Sequence, residues 1–150
     1  MIKVVVFISG GILPVLALAT IPTIFYAFMQ SNMEYAISLI VLAILTISIS
    51  YLIRKFVLPT RQLTTIQGFG AVGLSWILMS LFGTIPYILS GIDLSYTNIF
   101  FETVSGLTTT GSSILTDIEA VDKSLLIWRS TTQWLGGMGV IVLTITVLPL

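Results

Sequence analysis

Long apolar stretches without charge dominate this 150-residue sequence and restrict it to a membrane fold. A helix needs about 20 mostly apolar residues to cross the hydrocarbon core of a bilayer. Four stretches reach that length, at residues 4–33, 35–53, 62–92 and 125–150, and only the last contains a charge, at Arg129. Only 8% of all residues are charged, against roughly 25% in soluble domains. The sequence therefore predicts an all-α polytopic membrane protein with four transmembrane helices.

The first stretch also has features of a signal peptide. Lys3 precedes an apolar run, and Ala17-Leu18-Ala19 has the small residues of a cleavage site. The apolar run continues past Ala19 to Met29, which favours an uncleaved spanning helix, with cleavage as the alternative.

Several functional classes are excluded by composition. The sequence has no Cys and no His, so disulfides, thiol chemistry, His metal sites and His general bases are ruled out. Ser105 and Ser112 therefore lack a base, and we predict that the chain is not an enzyme and holds no organic cofactor. The net charge is zero, which provides no basic surface for nucleic acid.

The basic residues predict the topology. Arg54, Lys55 and Arg61 form the only basic cluster, and such residues collect on the cytoplasmic side. We therefore place this connection and the N-terminus, with Lys3, in the cytoplasm. The carboxylates then fall on the outer side: Glu34, Asp93, Glu102, Asp117, Glu119 and Asp122. They either form a vestibule that concentrates cations or are ordinary polar residues of outer loops.

Residues 96–113, between the third and fourth stretches, are too few to cross the bilayer. Tyr96 to Ser105 predicts a short helix, which Gly106 would end in the left-handed conformation. Thr108, Thr109 and Thr110 follow without helical period and predict extended backbone. Extended chain at membrane depth occurs only where it is buried in protein or lines a watery cavity. We therefore predict one re-entrant pore helix and filter loop, with a Thr/Gly-rich surface turn as the alternative.

The loop is a candidate cation site. Backbone carbonyls of Thr108, Thr109, Thr110 and Gly111 could replace the water around a small cation. A filter needs consecutive carbonyls that point one way and little side-chain bulk at its tightest point. Gly111 has no Cβ and can adopt positive φ. The C-terminal end of the preceding helix carries partial negative charge, which also favours a cation.

Charges and glycines near the loop suggest how it is supported. Glu102 in the pore helix and Arg129 in the fourth stretch are expected to pair behind the filter, unless both extend to the outer interface.

Gly136, Gly137 and Gly139 predict either close helix packing or a flexible point in the inner helix. Trp128 and Trp134 suit an outer aromatic belt or packing against the pore helix.

Three segments together resemble the TrkH/KtrB superfamily of bacterial potassium transporters. They are F-F-E-T-V-S-G-L-T-T-T-G-S-S (Phe100 to Ser113), W-R-S-T-T-Q-W-L-G-G-M-G (Trp128 to Gly139) and a stretch that begins with I-P-Y (85–87) and ends with S-G (90–91). The resemblance covers Gly68 to Leu150, and the helices before it resemble the additional N-terminal pair of the TrkH branch.

The resemblance implies a fold and a function. Family members are similar in having four repeats of outer helix, pore helix, filter loop and inner helix around one K⁺ pore. Each repeat contributes a filter glycine, here matched by Gly111. The complete transporter is expected to be a homodimer in the bacterial inner membrane, with a TrkA/KtrA-type cytosolic nucleotide-binding subunit and sodium or proton symport in some members.

The chain contains one such repeat, and we expect it to be the N-terminal portion of a longer transporter. Residues 1–61 would form the N-terminal helix pair and 62–150 the first pore repeat. The other three repeats would then be its partners in the pore. The alternative is a non-conducting membrane scaffold, or a truncated fragment without transport activity of its own.

Overall fold

The computed structural model describes residues 2–58 and 64–147, and the side chains of all of these except 65 and 142–147. Within those residues the regular structure is entirely α-helical, which confirms the predicted fold class. The helices are α1 (Ile2–Met29), α2 (Met33–Phe56), α3 (Thr65–Gly83), α4 (Ile85–Leu89), α5 (Tyr96–Leu107) and α6 (Lys123–Val147). The predicted cytoplasmic residue Arg61 and the end of the fourth stretch, 148–150, lie outside the described residues.

Among the described residues, three helical segments are long and apolar enough to cross a membrane. They are Ile2–Met29, Met33–Phe56 and Ile66–Leu89. The chain is therefore a multi-pass membrane protein. α6 has 25 residues, or about 37 Å at the helical rise, but it is not among these segments. The predicted fourth span stays a prediction.

The third span is interrupted at Thr84, between α3 and α4. Pro86 lies at the start of α4, where a proline is tolerated because the first amides of a helix have no intrahelical partner. The break leaves the Gly83 carbonyl available, and the buried Trp128 indole donates to it at 3.2 Å. Trp128 thus packs inside the fold, whereas Trp134 is 66% exposed.

The helices pack around one apolar core. α1 contacts α2, α3 and α6, and α5 lies against α3 and α6. The core combines side chains from all six helices, among them Leu16, Leu39, Leu42, Met79, Tyr87, Ile99, Leu107 and Trp128. Because α1 packs on α3 and α6 as well as on α2, the predicted division at residue 61 stays a prediction.

The basic pair Arg54 and Lys55 and the acidic loop that ends at Asp122 lie at opposite ends of the bundle. At one end the Arg54 guanidinium lies over the Phe7 ring, 5.9 Å from its centroid. At the other end the Asn32 amide donates to Asp122 at 2.9 Å, which joins the α1–α2 turn to the start of α6. The fold therefore keeps the charge separation that the sequence shows.

Candidate functional site

The helix that precedes the Thr-rich segment is longer than predicted. Ser95 caps the start of α5, and the helix continues through Ser105 to Leu107. The prediction that Gly106 ends it in the left-handed conformation is wrong, because Gly106 is helical and buried. A Cβ at this position would lie 2.6 Å from the Thr132 hydroxyl. Gly106 therefore allows α5 to pack closely against the Thr132 side chain of α6.

α5 ends in a Schellman motif built on a threonine. The Thr110 amide donates to the Ser105 carbonyl and the Thr109 amide to the Gly106 carbonyl, both at 3.0 Å. This pattern places the left-handed residue at Thr109, with φ of 57°. A β-branched residue rarely adopts that conformation, which costs about 1–2 kcal/mol. The predicted extended backbone is thus wrong at Thr108 and Thr109, which form a turn, and it stays a prediction at Thr110.

The turn aligns two consecutive carbonyls. The amides of Thr110 and Gly111 both donate to the Ser105 carbonyl, at 3.0 and 3.4 Å. All described peptide bonds are trans, so each carbonyl points opposite to the amide of the next residue. The Thr109 and Thr110 carbonyls therefore point away from the end of α5. Both residues are exposed.

The direction of the carbonyls reverses at Gly111, whose φ is 76°. The Gly111 carbonyl turns back and accepts from Nη2 of Arg129 at 3.2 Å. The Ser112 carbonyl accepts from the Ser105 hydroxyl at 2.6 Å. The candidate filter residues thus divide into Thr109 and Thr110, whose carbonyls point outward, and Gly111, whose carbonyl is bound within the fold.

Thr108 completes the turn through its side chain. Its hydroxyl donates to the Val104 carbonyl and lies 2.8 Å from the Thr110 hydroxyl. Its carbonyl accepts from the Thr109 hydroxyl at 2.7 Å. These local bonds hold the three threonines in one conformation while leaving the Thr109 and Thr110 carbonyls without a hydrogen bond in the described part of the chain.

A buried ion pair supports the turn. Glu102 on α5 is fully buried and accepts from Nε of Arg129 on α6 at 2.9 Å. Its second oxygen accepts from the Ser113 hydroxyl at 2.7 Å and from the Ile114 amide at 2.5 Å. The pair therefore links α5, α6 and the residues that follow Gly111. The Arg129 side chain is 18% exposed and that of Glu102 is fully buried.

The three glycines of α6 differ in their surroundings. A Cβ at Gly136 would overlap the Leu107 carbonyl at the end of α5. A Cβ at Gly137 would lie 3.7 Å from Thr109, and one at Gly139 3.4 Å from Trp76, which is ordinary contact. Gly136 thus permits the close approach of α6 to α5.

The acidic loop before α6 has mainly local bonds. Asp117 accepts from the amides of Glu119 and Ala120, and Asp122 accepts from the Ser124 amide at 2.7 Å. In the described part of the chain, no three acidic side chains come together as a metal site. The predicted vestibule stays a prediction.

Ser105 is the residue that the sequence interpretation missed. It contributes a carbonyl to two amides and a hydroxyl to a third residue of the loop. A serine in the last turn of a helix is common, and only the return of residues 110–112 to that turn reveals its part in the site.

The TrkH family model, described as cation transport protein, matches residues 31–150. The Trk system potassium uptake protein TrkH of Halomonas elongata is 33% identical over 99% of this chain and 31% of its own length. TrkH of Escherichia coli is 40% identical over 59% of this chain and 19% of its own length. An uncharacterised cation transporter of Methanocaldococcus jannaschii is 30% identical over 98% of the chain and 31% of its own length. No solved structure matched.

The chain thus spans about a third of the length of the relatives that it matches most fully. The family model, however, covers most of the chain, including α5, the turn and α6. The chain belongs to the TrkH family of cation transport proteins.

Proposed function

We propose that this chain forms part of a K⁺ pathway through the bacterial inner membrane and contributes one segment of its selectivity filter. The observation that carries the proposal is the pair of aligned, outward-pointing carbonyls at Thr109 and Thr110. Potassium filters use such oxygens in place of the ion's hydration shell. The relatives named as potassium uptake proteins support K⁺ as the ion.

The surroundings of the turn suit a cation. The C-terminal end of α5 carries partial negative charge and lies directly beneath the turn. The Arg129 charge is neutralised by Glu102 at 2.9 Å, so it opposes a nearby cation less than an isolated guanidinium would. We therefore assign Glu102 and Arg129 to support of the filter and not to ion binding.

One turn cannot surround an ion, because two carbonyls replace only part of a hydration shell. In the proposed transporter, three further pore repeats supply the other oxygens, and the complete protein is a homodimer with a TrkA/KtrA-type cytosolic subunit. The end of the bundle with Arg54 and Lys55 faces the cytoplasm, so the turn enters from the outer face. We also propose that K⁺ uptake by the complete transporter is coupled to sodium or protons.

The test uses a chimaera, in which this chain replaces the matching region of Halomonas elongata TrkH. Potassium and sodium uptake are measured in bacteria that lack their own potassium transporters. Gly111→Ser is the test variant, because a side chain at φ of 76° forces the turn to rearrange. Gly91→Ser is the matched control, since Gly91 has φ of 69° and lies in the loop before α5.

We expect Gly111→Ser to lower the preference for K⁺ over Na⁺ about tenfold, equivalent to about 1.4 kcal/mol, and Gly91→Ser to leave it unchanged. Unchanged preference in Gly111→Ser would instead identify the turn as part of a membrane scaffold. An equal loss of K⁺/Na⁺ preference in Gly111→Ser and Gly91→Ser would show that a glycine at positive φ is needed for folding and not for selectivity, which would contradict the proposal.

A further inference from the structure

We propose that Ser105 is a positioning residue for the filter loop, and that its hydroxyl holds the loop in the conformation that prefers K⁺. This inference rests on the proposed function and names the residue that maintains it. Ser105 lies in the last turn of α5, and it is only 4% exposed.

Ser105 contacts the loop on both sides of Gly111. Its carbonyl accepts from the amides of Thr110 and Gly111, and its hydroxyl donates to the Ser112 carbonyl at 2.6 Å. The carbonyl bonds orient the outward carbonyls of Thr109 and Thr110. The hydroxyl bond orients the peptide group that follows Ser112. One residue thus holds three consecutive loop residues.

The two kinds of bond respond differently to substitution. The carbonyl of residue 105 remains in any variant, so the amides of Thr110 and Gly111 keep their acceptor. The hydroxyl bond depends on the side chain alone. Without it, the Ser112 carbonyl keeps only the contact with Nη2 of Arg129 at 3.5 Å, a distance at which hydrogen bonds are weak.

Gly111 makes the loop sensitive to that loss. A glycine can rotate through both signs of φ at little cost, so the residues after it keep their conformation only where other bonds fix them. The Ser105 hydroxyl and the Arg129 guanidinium fix the carbonyls of residues 111 and 112. Removal of the hydroxyl is therefore expected to loosen the filter loop while leaving the helices packed.

The experiment uses the chimaera with Ser105→Ala, Ser105→Cys and Ser105→Thr. Ser75→Ala is the matched control, because Ser75 is also 4% exposed and its hydroxyl bonds only to the Ala71 carbonyl of its own helix. The readouts are the K⁺/Na⁺ preference, the KM and maximal rate for K⁺, and the amount of protein in the membrane.

We expect Ser105→Ala to reduce the K⁺/Na⁺ preference about three- to tenfold, the factor that loss of one hydrogen bond produces, with a raised KM and normal membrane abundance. Ser105→Thr keeps a hydroxyl and retains most of the preference. Ser105→Cys, a weak donor of similar size, falls between Thr and Ala. Ser75→Ala matches the unmodified chimaera.

Full preference in Ser105→Ala, or a Thr variant as poor as Ala, would overturn the inference. Should the Ala variant fail to accumulate, the Cys variant decides, and unchanged preference there also overturns it. Altered preference in Gly111→Ser with none in any Ser105 variant would reject the role of Ser105 while leaving the filter proposal intact. No effect in either would reject both.

Discussion

The α1–α2 hairpin and the segment from α5 to α6 are held together by different kinds of contact. In the hairpin, Gly10 lets α1 approach the Ile53 side chain, and the hydroxyls of Thr20 and Thr46 bond to carbonyls of their own helices. Between α5 and α6, the contacts are a buried ion pair, bonds to the loop backbone and a glycine against a carbonyl.

This difference shows where individual residues matter. Between helices in lipid, apolar packing gains little from the hydrophobic effect, and many apolar side chains can serve equally well. A buried charge or a backbone carbonyl has few acceptable partners. The hairpin should therefore tolerate exchange of its residues, whereas the α5–α6 segment should depend on particular atoms.

The largest expected effect is loss of the arginine of the buried pair. In the chimaera, Arg129→Gln leaves the fully buried Glu102 carboxylate without its cation. Removal of one partner of a buried pair typically costs about 3–5 kcal/mol. We expect a large drop in thermal stability of the detergent-purified chimaera and loss of K⁺ uptake. Lys123→Gln, at the exposed start of the same helix, should change neither.

A double variant separates pairing from other effects. Glu102→Gln combined with Arg129→Gln removes the unpaired carboxylate, so it should be more stable than Arg129→Gln alone. Equal or lower stability would contradict the pairing. Exchange of the two charges is a weaker test, because Glu102 also accepts from the Ser113 hydroxyl and the Ile114 amide. An arginine at position 102 cannot accept those bonds.

The second effect concerns the glycine between α5 and α6. A Cβ at Gly136 overlaps the Leu107 carbonyl, a backbone atom that cannot turn aside. Gly136→Ala must therefore separate the helices, at a cost of about 3 kcal/mol, the upper end for overpacking. Gly137→Ala is the control, because its Cβ would lie 3.7 Å from Thr109. Similar melting temperatures for the two variants would show that α5 and α6 are not in close contact.

The sequence predicted those parts of the site that consist of residue types unusual in a membrane-spanning segment. Charge is rare in apolar segments, so Glu102 and Arg129 stood out, and the threonines and Gly111 marked the loop. The use of Gly106 and Trp128 depends on how separate helices approach each other, and that of Ser105 depends on how the following loop folds back onto α5. The end of a helix also depends on which carbonyls are available to the residues that follow it. Thr109 adopts positive φ because its amide bonds to α5, although a β-branched residue prefers negative φ.

The smallest expected effect, in the hairpin, tests the comparison most directly. A Cβ at Gly10 would lie 2.7 Å from two methyl carbons of Ile53 and 3.0 Å from its Cβ, but all three are side-chain atoms, which a small shift can move more easily than backbone. Alanine also favours a helix by up to about 1 kcal/mol over glycine, which offsets the crowding. We therefore expect Gly10→Ala to change the stability of the chimaera by less than about 1 kcal/mol and to leave K⁺ uptake intact, as measured by thermal melting and uptake assays. Addition of Ile53→Val removes Cδ1, one of the two close methyl carbons, and should reduce any residual loss. A loss in Gly10→Ala as large as in Gly136→Ala would show that the side-chain contact at Gly10 yields no more easily than the backbone contact at Gly136. The hairpin would then need the same close fit as the α5–α6 segment, and the comparison would fail.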